Sequence, residues 1–302
     1  MPAVTSIPRL SHSGSLELAA RRVVEGLHAG RHRSPYTGPA VEFADHRPYL
    51  AGDDLRSVDW KAYARTDHLL VRRYREERDL PLALLLDTSA SMGFSSASAL
   101  PSKLAWAGLA AAVLALLACD QGDRVRVVGG ASELGPWPRE LGGPAGATAA
   151  CLLIDSLSAG GAGDPAALVR AAGTRLSRRT LVLLLSDLLL DPAALGAALA
   201  PLAARGHDLA VIQVLDPSEL ALPADWERVA LSDPEGRHPD FTCDAADAKA
   251  GFDAAMARHV AACATACAGA RADHVLADSS RDVAEVVGGW LHRRGHGPGT
   301  TR

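Results

Sequence analysis

Two carboxylates and two hydroxyls stand where apolar runs stop. Leu82–Leu86 leads into Asp87, and Thr88, Ser89, Ala90 and Ser91 follow directly. Far along the chain, Leu181–Leu185 leads into Ser186-Asp187. Carboxylate and hydroxyl oxygens are hard ligands, suited to Mg²⁺, Mn²⁺ or Ca²⁺ and not to zinc. If the two runs are neighbouring strands, Asp87, Ser89, Ser91 and Asp187 face one crevice and are the candidate metal ligands. Nothing close to them in sequence offers an evident general base, so the set suits binding better than turnover. The same residues also suit a plain strand-to-helix junction, where Asp and Ser cap backbone N–H groups.

Other chemistry has weaker support. Asp87 at a strand end beside a cation resembles the nucleophile position of aspartyl-phosphate phosphatases. Those enzymes want a second Asp two residues on, and that place holds Ser89. His259, Cys263 and Cys267 fall at i, i+4 and i+8 on one predicted helix face. That spacing could contribute to a zinc site, but thiols on the inward face of a helix also read as core. The chain contains no G-x-x-x-x-G-K-[ST], no H-E-x-x-H and no G-x-S-x-G. Gly142-Gly143-Pro144-Ala145-Gly146 has no Lys and is expected to be loop. Arg72, Arg73, Arg75 and Arg78 are offset by Glu76, Glu77 and Asp79, as on a solvated strand end.

The elements that must position these residues follow from hydrophobic periodicity. Leu82–Leu86, Arg124–Val128, Leu181–Leu185, Leu209–Leu215 and the shorter His274–Leu276 are read as apolar runs. Continuous rather than alternating character marks strands covered on both faces, as in a parallel sheet. Helical patterns lie between them at Lys103–Ala118, Ala147–Leu157, Pro165–Leu176, Pro192–Ala204, Asp244–Ala268 and Arg281–His292. Asp164-Pro165 and Asp191-Pro192 pair an N-cap with Pro at the first helical position. The pattern predicts an open, mostly parallel, doubly wound α/β sheet. Val229–Cys243, with turn chemistry at Asp233-Pro234-Glu235-Gly236, is expected to form a hairpin on the sheet's edge.

The sequence changes character near residue 80. Before it, a helix over Leu16–Leu27, an extended Phe43–Leu50, a short helix capped by Asp53 or Asp54 and running to Arg65, and a strand over Leu69–Tyr74 are predicted. Arg56, Asp59 and Arg65 suit internal ion pairs there, with Trp60 and Tyr63 supplying buried area. The expected division is a small N-terminal α+β segment over 1–79 and a larger domain over 80–295.

Composition narrows the partners. With Lys+Arg 31 against Asp+Glu 35, the net charge of −4 argues against general nucleic-acid binding, which wants a basic face. Only Lys61, Lys103 and Lys249 are lysines, a bias to which no function is attached. Five Cys form no disulfide framework. No signal peptide is expected, since MPAVTSIPRLSHSG has no apolar h-region, and no membrane span, since Ala105–Cys119 suits a buried core helix. A cytoplasmic location is the expectation.

Asp87-x-Ser89-x-Ser91 resembles the metal-ion-dependent adhesion site of von Willebrand factor A domains. The resemblance implies that both Ser and a distant Thr ligate the ion, with Asp acting directly or through water. Neutral hydroxyl ligands leave the cation's charge largely uncancelled, so one open position can be completed by a partner's carboxylate. The matching loop reads Ala159-Gly160-Gly161-Ala162-Gly163-Asp164, so the Thr position falls on Ala162 or Gly163. Asp164 through water, or Thr148 from elsewhere, could substitute. More widely, residues from about Gly30 to Gly93 resemble the domain-of-unknown-function 58 family. The carriers are Glu42-Phe43, Arg47-Pro48-Tyr49, Gly52-Asp53-Asp54-x-Arg56, Asp59-Trp60, Ala64-Arg65 and the Arg/Glu run ending at Asp79. The resemblance implies an A-like domain behind a family-specific segment, and supplies no activity. Members often accompany MoxR-type AAA+ ATPases, and many carry N-terminal membrane spans. The expected function is a non-enzymatic adaptor with a degenerate metal site. A metal-free scaffold and an Asp87-based phosphoryl hydrolase are the alternatives.

Overall fold

The structure is a computed structural model describing residues 15–30, 44–49, 60–66, 68–73, 80–131, 137–177, 179–223, 226–236 and 239–295. Its contacts divide the chain into two units. Helix α1 (Ser15–Gly30), up to Ala29, belongs with the residues from Leu80 onward.

The smaller unit lies within Gly30–Asp79. Strand β1 (Ala44–Pro48) pairs antiparallel with β2 (Leu70–Arg73), and helix α2 (Trp60–Thr66) lies between them in sequence. Trp60 and Tyr63 meet edge to face with ring centroids 6.3 Å apart, yet both are exposed. The expectation that they supply buried area is therefore not met: at this spacing on so short a helix the rings lean on each other. Gly52–Asp59, with Asp53, Asp54 and Arg56, lie outside the described residues, as do Arg75–Asp79.

In the larger unit every predicted apolar run is a strand: β3 (Leu82–Asp87), β4 (Val125–Gly130), β5 (Leu181–Ser186), β6 (Asp208–Leu215) and β9 (Asp273–Asp278). They form one sheet in the order β4-β3-β5-β6-β9, parallel at every pairing. Strand alternation divides the core into two layers. Leu82, Leu84 and Leu86 enter the layer with α1, α3 (Lys103–Asp120), α4 (Gly143–Asp155) and α9 (Val283–Gly295). Ala83 and Leu85 enter the opposite layer, with α5 (Pro165–Arg175), α6 (Pro192–Ala204) and α8 (Ala245–Gly269). Each fully buried Leu contributes on the order of 1.5–3 kcal/mol, so β3 anchors both layers.

Helix α3 is the one helix, among the described residues, long and apolar enough to cross a membrane, and 83% of it is buried against the sheet and neighbouring helices. Ser102 caps it by accepting from Ala105 N–H at 3.2 Å, and Trp106 Nε1 donates to the Arg281 carbonyl at 2.8 Å. Asp164 and Asp191 cap α5 and α6 as their Asp-Pro pairs predict.

Two expectations change. Gly142–Gly146 is not loop: Pro144 sits in the first turn of α4, where its missing N–H has no bond to lose. The hairpin, β7 (Arg228–Leu231) with β8 (Phe241–Asp244), is a separate two-stranded sheet rather than an extension of the main edge. Its small apolar cluster of Leu222, Val229 and Ala245, with Phe252 packed on it, seats it against α8.

Candidate functional site

The strand order places β3 between β4 and β5. The chain therefore winds one way from β3 and then the other, a topological switch point beyond whose carboxyl ends ligands bind in open α/β sheets. Asp87 ends β3 and Ser186 ends β5, so the sheet brings the two sequence motifs together there.

Asp87 is 1% exposed. Its Oδ1 accepts from Ser89 N–H at 2.9 Å and its Oδ2 from Ser186 Oγ at 2.7 Å. Ser186 Oγ itself accepts from Leu188 N–H at 3.0 Å, so its one proton points at Asp87. Burial pushes the Asp87 pKa up to about 6, the nearby Asp187 charge adds to this, and the Ser186 and Ser89 hydrogen bonds offset part of it. Ser89 Oγ and Ser91 Oγ lie 3.1 Å apart. They are hydrogen-bonded to each other at that distance, which is also close to the roughly 3.0 Å between two ligands on adjacent octahedral positions of Mg²⁺.

Asp187 faces different surroundings. Its Oδ2 accepts from Lys103 Nζ at 2.8 Å, and Lys103 reaches Glu219 at 2.6 Å. Lys103 is fully buried. Burial pulls its pKa down, but the two carboxylates outweigh this and raise it, so it stays charged. Burial raises the Glu219 pKa, against the pull of Lys103. Glu219 belongs to the short helix α7 (Pro217–Leu220), where its other oxygen accepts from Asp216 N–H at 2.9 Å and completes a capping box. The backbone after Asp187 turns through Leu188, buried at φ 56°, a conformation that non-glycine residues seldom adopt and that often accompanies functional sites.

The loop before α5 runs along the same end of the sheet. Ala90 N–H donates to the Gly161 carbonyl and Gly160 N–H to the Thr88 carbonyl. A Cβ at Gly163 would lie 2.4 Å from Ser89 Cβ. A Thr side chain therefore has no room at Gly163, and the chain lacks a third hydroxyl there. Asp164 is spent elsewhere, capping α5 at Ala167 N–H and pairing with Arg170. Thr148 lies on α4 and donates to Glu17. The side-chain hydrogen bonds of these two thus go to Glu17, Ala167 and Arg170 rather than to Ser89 or Ser91. Opposite the loop, Ser91 Oγ donates to Glu235 Oε1 at 3.4 Å.

The residues thus fit a cation in part. Ser89 and Ser91 would hold it directly and Asp87 through water, since both Asp87 oxygens already accept hydrogen bonds. Asp187 could join only by leaving Lys103. Among the described residues, no group of three or more His, Cys, Asp or Glu side chains is arranged to hold a metal. That includes the helix face with His259, Cys263 and Cys267. His259 Nε2 contacts the Leu188 carbonyl at 2.8 Å and Cys263 Sγ at 3.6 Å. Burial pushes the Cys263 and Cys267 thiols up to about 11 and about 12, which keeps them protonated core residues.

Lys103, Glu219 and Glu235 carry much of the site's electrostatics and were not singled out by spacing. Asp216-Pro217-Ser218-Glu219 is legible as a capping box. Lys103, opening an otherwise apolar helix, is a charge where burial makes one costly, which is itself a signal.

Topology sets the class first: an open α/β fold of the doubly wound kind, with its crevice between β3 and β5. Within that class the chain belongs to the family described as "Protein of unknown function DUF58", which matches residues 45–262. It is 32% identical over 288 residues to the uncharacterized protein Rv1480 of Mycobacterium tuberculosis, covering 92% of this chain and 89% of that one. The uncharacterized protein Mb1516 of Mycobacterium bovis matches equally. Similar solved structures include the conserved hypothetical protein BatB from Bacteroides thetaiotaomicron, at 14% identity and TM-score 0.49, covering 72% of this chain and 100% of that one. A von Willebrand factor type A chain from Catenulispora acidiphila aligns at 14% identity and TM-score 0.43, covering 74% of this chain and 43% of that one.

Proposed function

We propose that the protein is a non-enzymatic interaction module that docks an acidic side chain of a partner at the carboxyl end of β3. The observation that carries this is the Ser89–Ser91 hydroxyl pair, 3.1 Å apart beside buried Asp87 at the switch point. A Mg²⁺, Mn²⁺ or Ca²⁺ ion held there would supply positive charge to an incoming carboxylate. Asp87 supports such a role because its charge is buried without a cation of its own, so an ion would relieve its raised pKa. Turnover has less support. Asp87 is buried with both oxygens hydrogen-bonded, and Ser89 stands where a phosphatase would want its second Asp. The family resemblance supplies the candidate partner, a MoxR-type AAA+ ATPase or its client, in the cytoplasm where Mg²⁺ is plentiful.

A second role, as a metal-free scaffold, is favoured by one observation: Lys103 already neutralises Asp187. Affinity capture separates the two. The tagged chain is expected to retain a MoxR-type ATPase supplied with it when Mg²⁺ is present, and to lose it in EDTA or as Ser91→Ala. Capture unaffected by either change favours the scaffold, and no capture removes this partner.

A further inference from the structure

The hairpin's tip already shows what the crevice accepts. Ser91 Oγ donates to Glu235 Oε1 at 3.4 Å, and a Cβ built on Gly163 would stand 3.3 Å from that same oxygen. The carboxylate therefore lies between the Ser89–Ser91 loop and the loop before α5, over the hydroxyls that the docking role assigns to a partner's acid.

The tip is shaped to hold it there. Asp233 Oδ1 accepts from Glu235 N–H and the Asp233 carbonyl from Gly236 N–H, both at 2.9 Å. Gly236 closes the turn at φ 69°, in the left-handed region. The strands behind the tip rest on a far smaller apolar cluster than the main sheet does, so the hairpin is among the easier parts of this unit to displace.

We infer that Glu235 is a built-in occupant of the site, and that a partner is captured through a glutamate or aspartate that displaces it. The surface then fits one carboxylate presented on a tight turn, and the β7–β8 hairpin sets the threshold for binding. This rests on the docking role proposed above, but the contact can be tested without metal or partner.

Amide hydrogen exchange over the tip of the full chain is the measurement. Glu235→Ala and Ser91→Ala are each expected to speed exchange at the tip by about tenfold, and Ser91→Ala to add nothing in the Glu235→Ala background, where their shared contact is already lost. A labelled synthetic peptide copying residues 231–236 serves as the acidic probe. It is expected to bind Glu235→Ala at least about tenfold more tightly than the unaltered chain, and its own Glu→Gln version to bind neither. Unchanged exchange in both single variants overturns the inference, as does equal or absent peptide binding in the two chains. If exchange and peptide behave as expected but no chain responds to Mg²⁺, the occupant stands and the metal part of the docking role fails.

Discussion

Asp87 ends β3 and Asp187 follows its parallel neighbour β5, and the two are buried almost equally, at 1% and 2% exposure, yet their charges are held in different ways. Asp187 has the ammonium of Lys103, which also binds Glu219. Asp87 has only neutral donors, the Ser89 amide and the Ser186 hydroxyl. One strand end is a closed joint in which Asp187, just after β5, and Glu219 of α7 share the single ammonium of Lys103 from α3. The other keeps a carboxylate whose pKa is pushed up to about 6 and which lacks a cation. This contrast is why the proposed docking role is assigned to Asp87 rather than to Asp187.

The strongest way to break the contrast is Lys103→Met. It leaves buried Asp187 and half-buried Glu219 with no cation, and stripping one partner from a buried ion pair typically costs about 3–5 kcal/mol. Urea unfolding should show a loss of that order, with partial recovery on adding Glu219→Gln. A loss below about 1 kcal/mol would mean the joint is solvated and the two ends are alike.

Asp87→Asn should act in the opposite direction. The folded pKa of Asp87 lies above its ordinary value of 3.8, so the native state binds the proton more tightly than the unfolded chain does. Ionised Asp87 therefore costs stability above pH 6, and the cost fades as pH falls from 6 towards 4. A shift of about two units corresponds to about 3 kcal/mol at most. Without metal at pH 7.5, Asp87→Asn is expected to be more stable than the unaltered chain by about 1–3 kcal/mol, and the gap should close by pH 4. Equal stability at both pH values would show that Asp87 carries no unrelieved charge.

The sheet was legible because its central strands β3 and β5 are continuous apolar runs, and both faces of a central parallel strand must be apolar. The Asp-Pro caps and the α3 core helix were legible for similarly local reasons. The hairpin's attachment was not, because Val229–Cys243 pairs with itself and nothing local says where such a ribbon rests. Gly142–Gly146 misled because Gly-Gly-Pro reads as a break, whereas Pro is welcome in a helix's first turn. At the site, the strand-end residues Asp87, Ser89, Ser91 and Asp187 were legible from type and position. Their electrostatics were not: Lys103 looked like composition, and Glu235 lies 144 positions from the Ser91 hydroxyl it meets. Gly163 shows the same limit, since only the fold reveals that Ser89 occupies the space a Thr would need.

The central claim is that the Ser89–Ser91 pair beside Asp87 holds a divalent cation. Thermal unfolding of the unaltered chain and of Asp87→Asn, across a Mg²⁺ titration at pH 7.5, tests it most directly. At ten times the dissociation constant a bound ion adds about 1.4 kcal/mol, a rise of about 2–4 °C for a unit of this size, and Asp87→Asn should show none of it. A melting temperature in the unaltered chain that stays flat through millimolar Mg²⁺ and Mn²⁺, or one that rises equally in both chains, would contradict the claim.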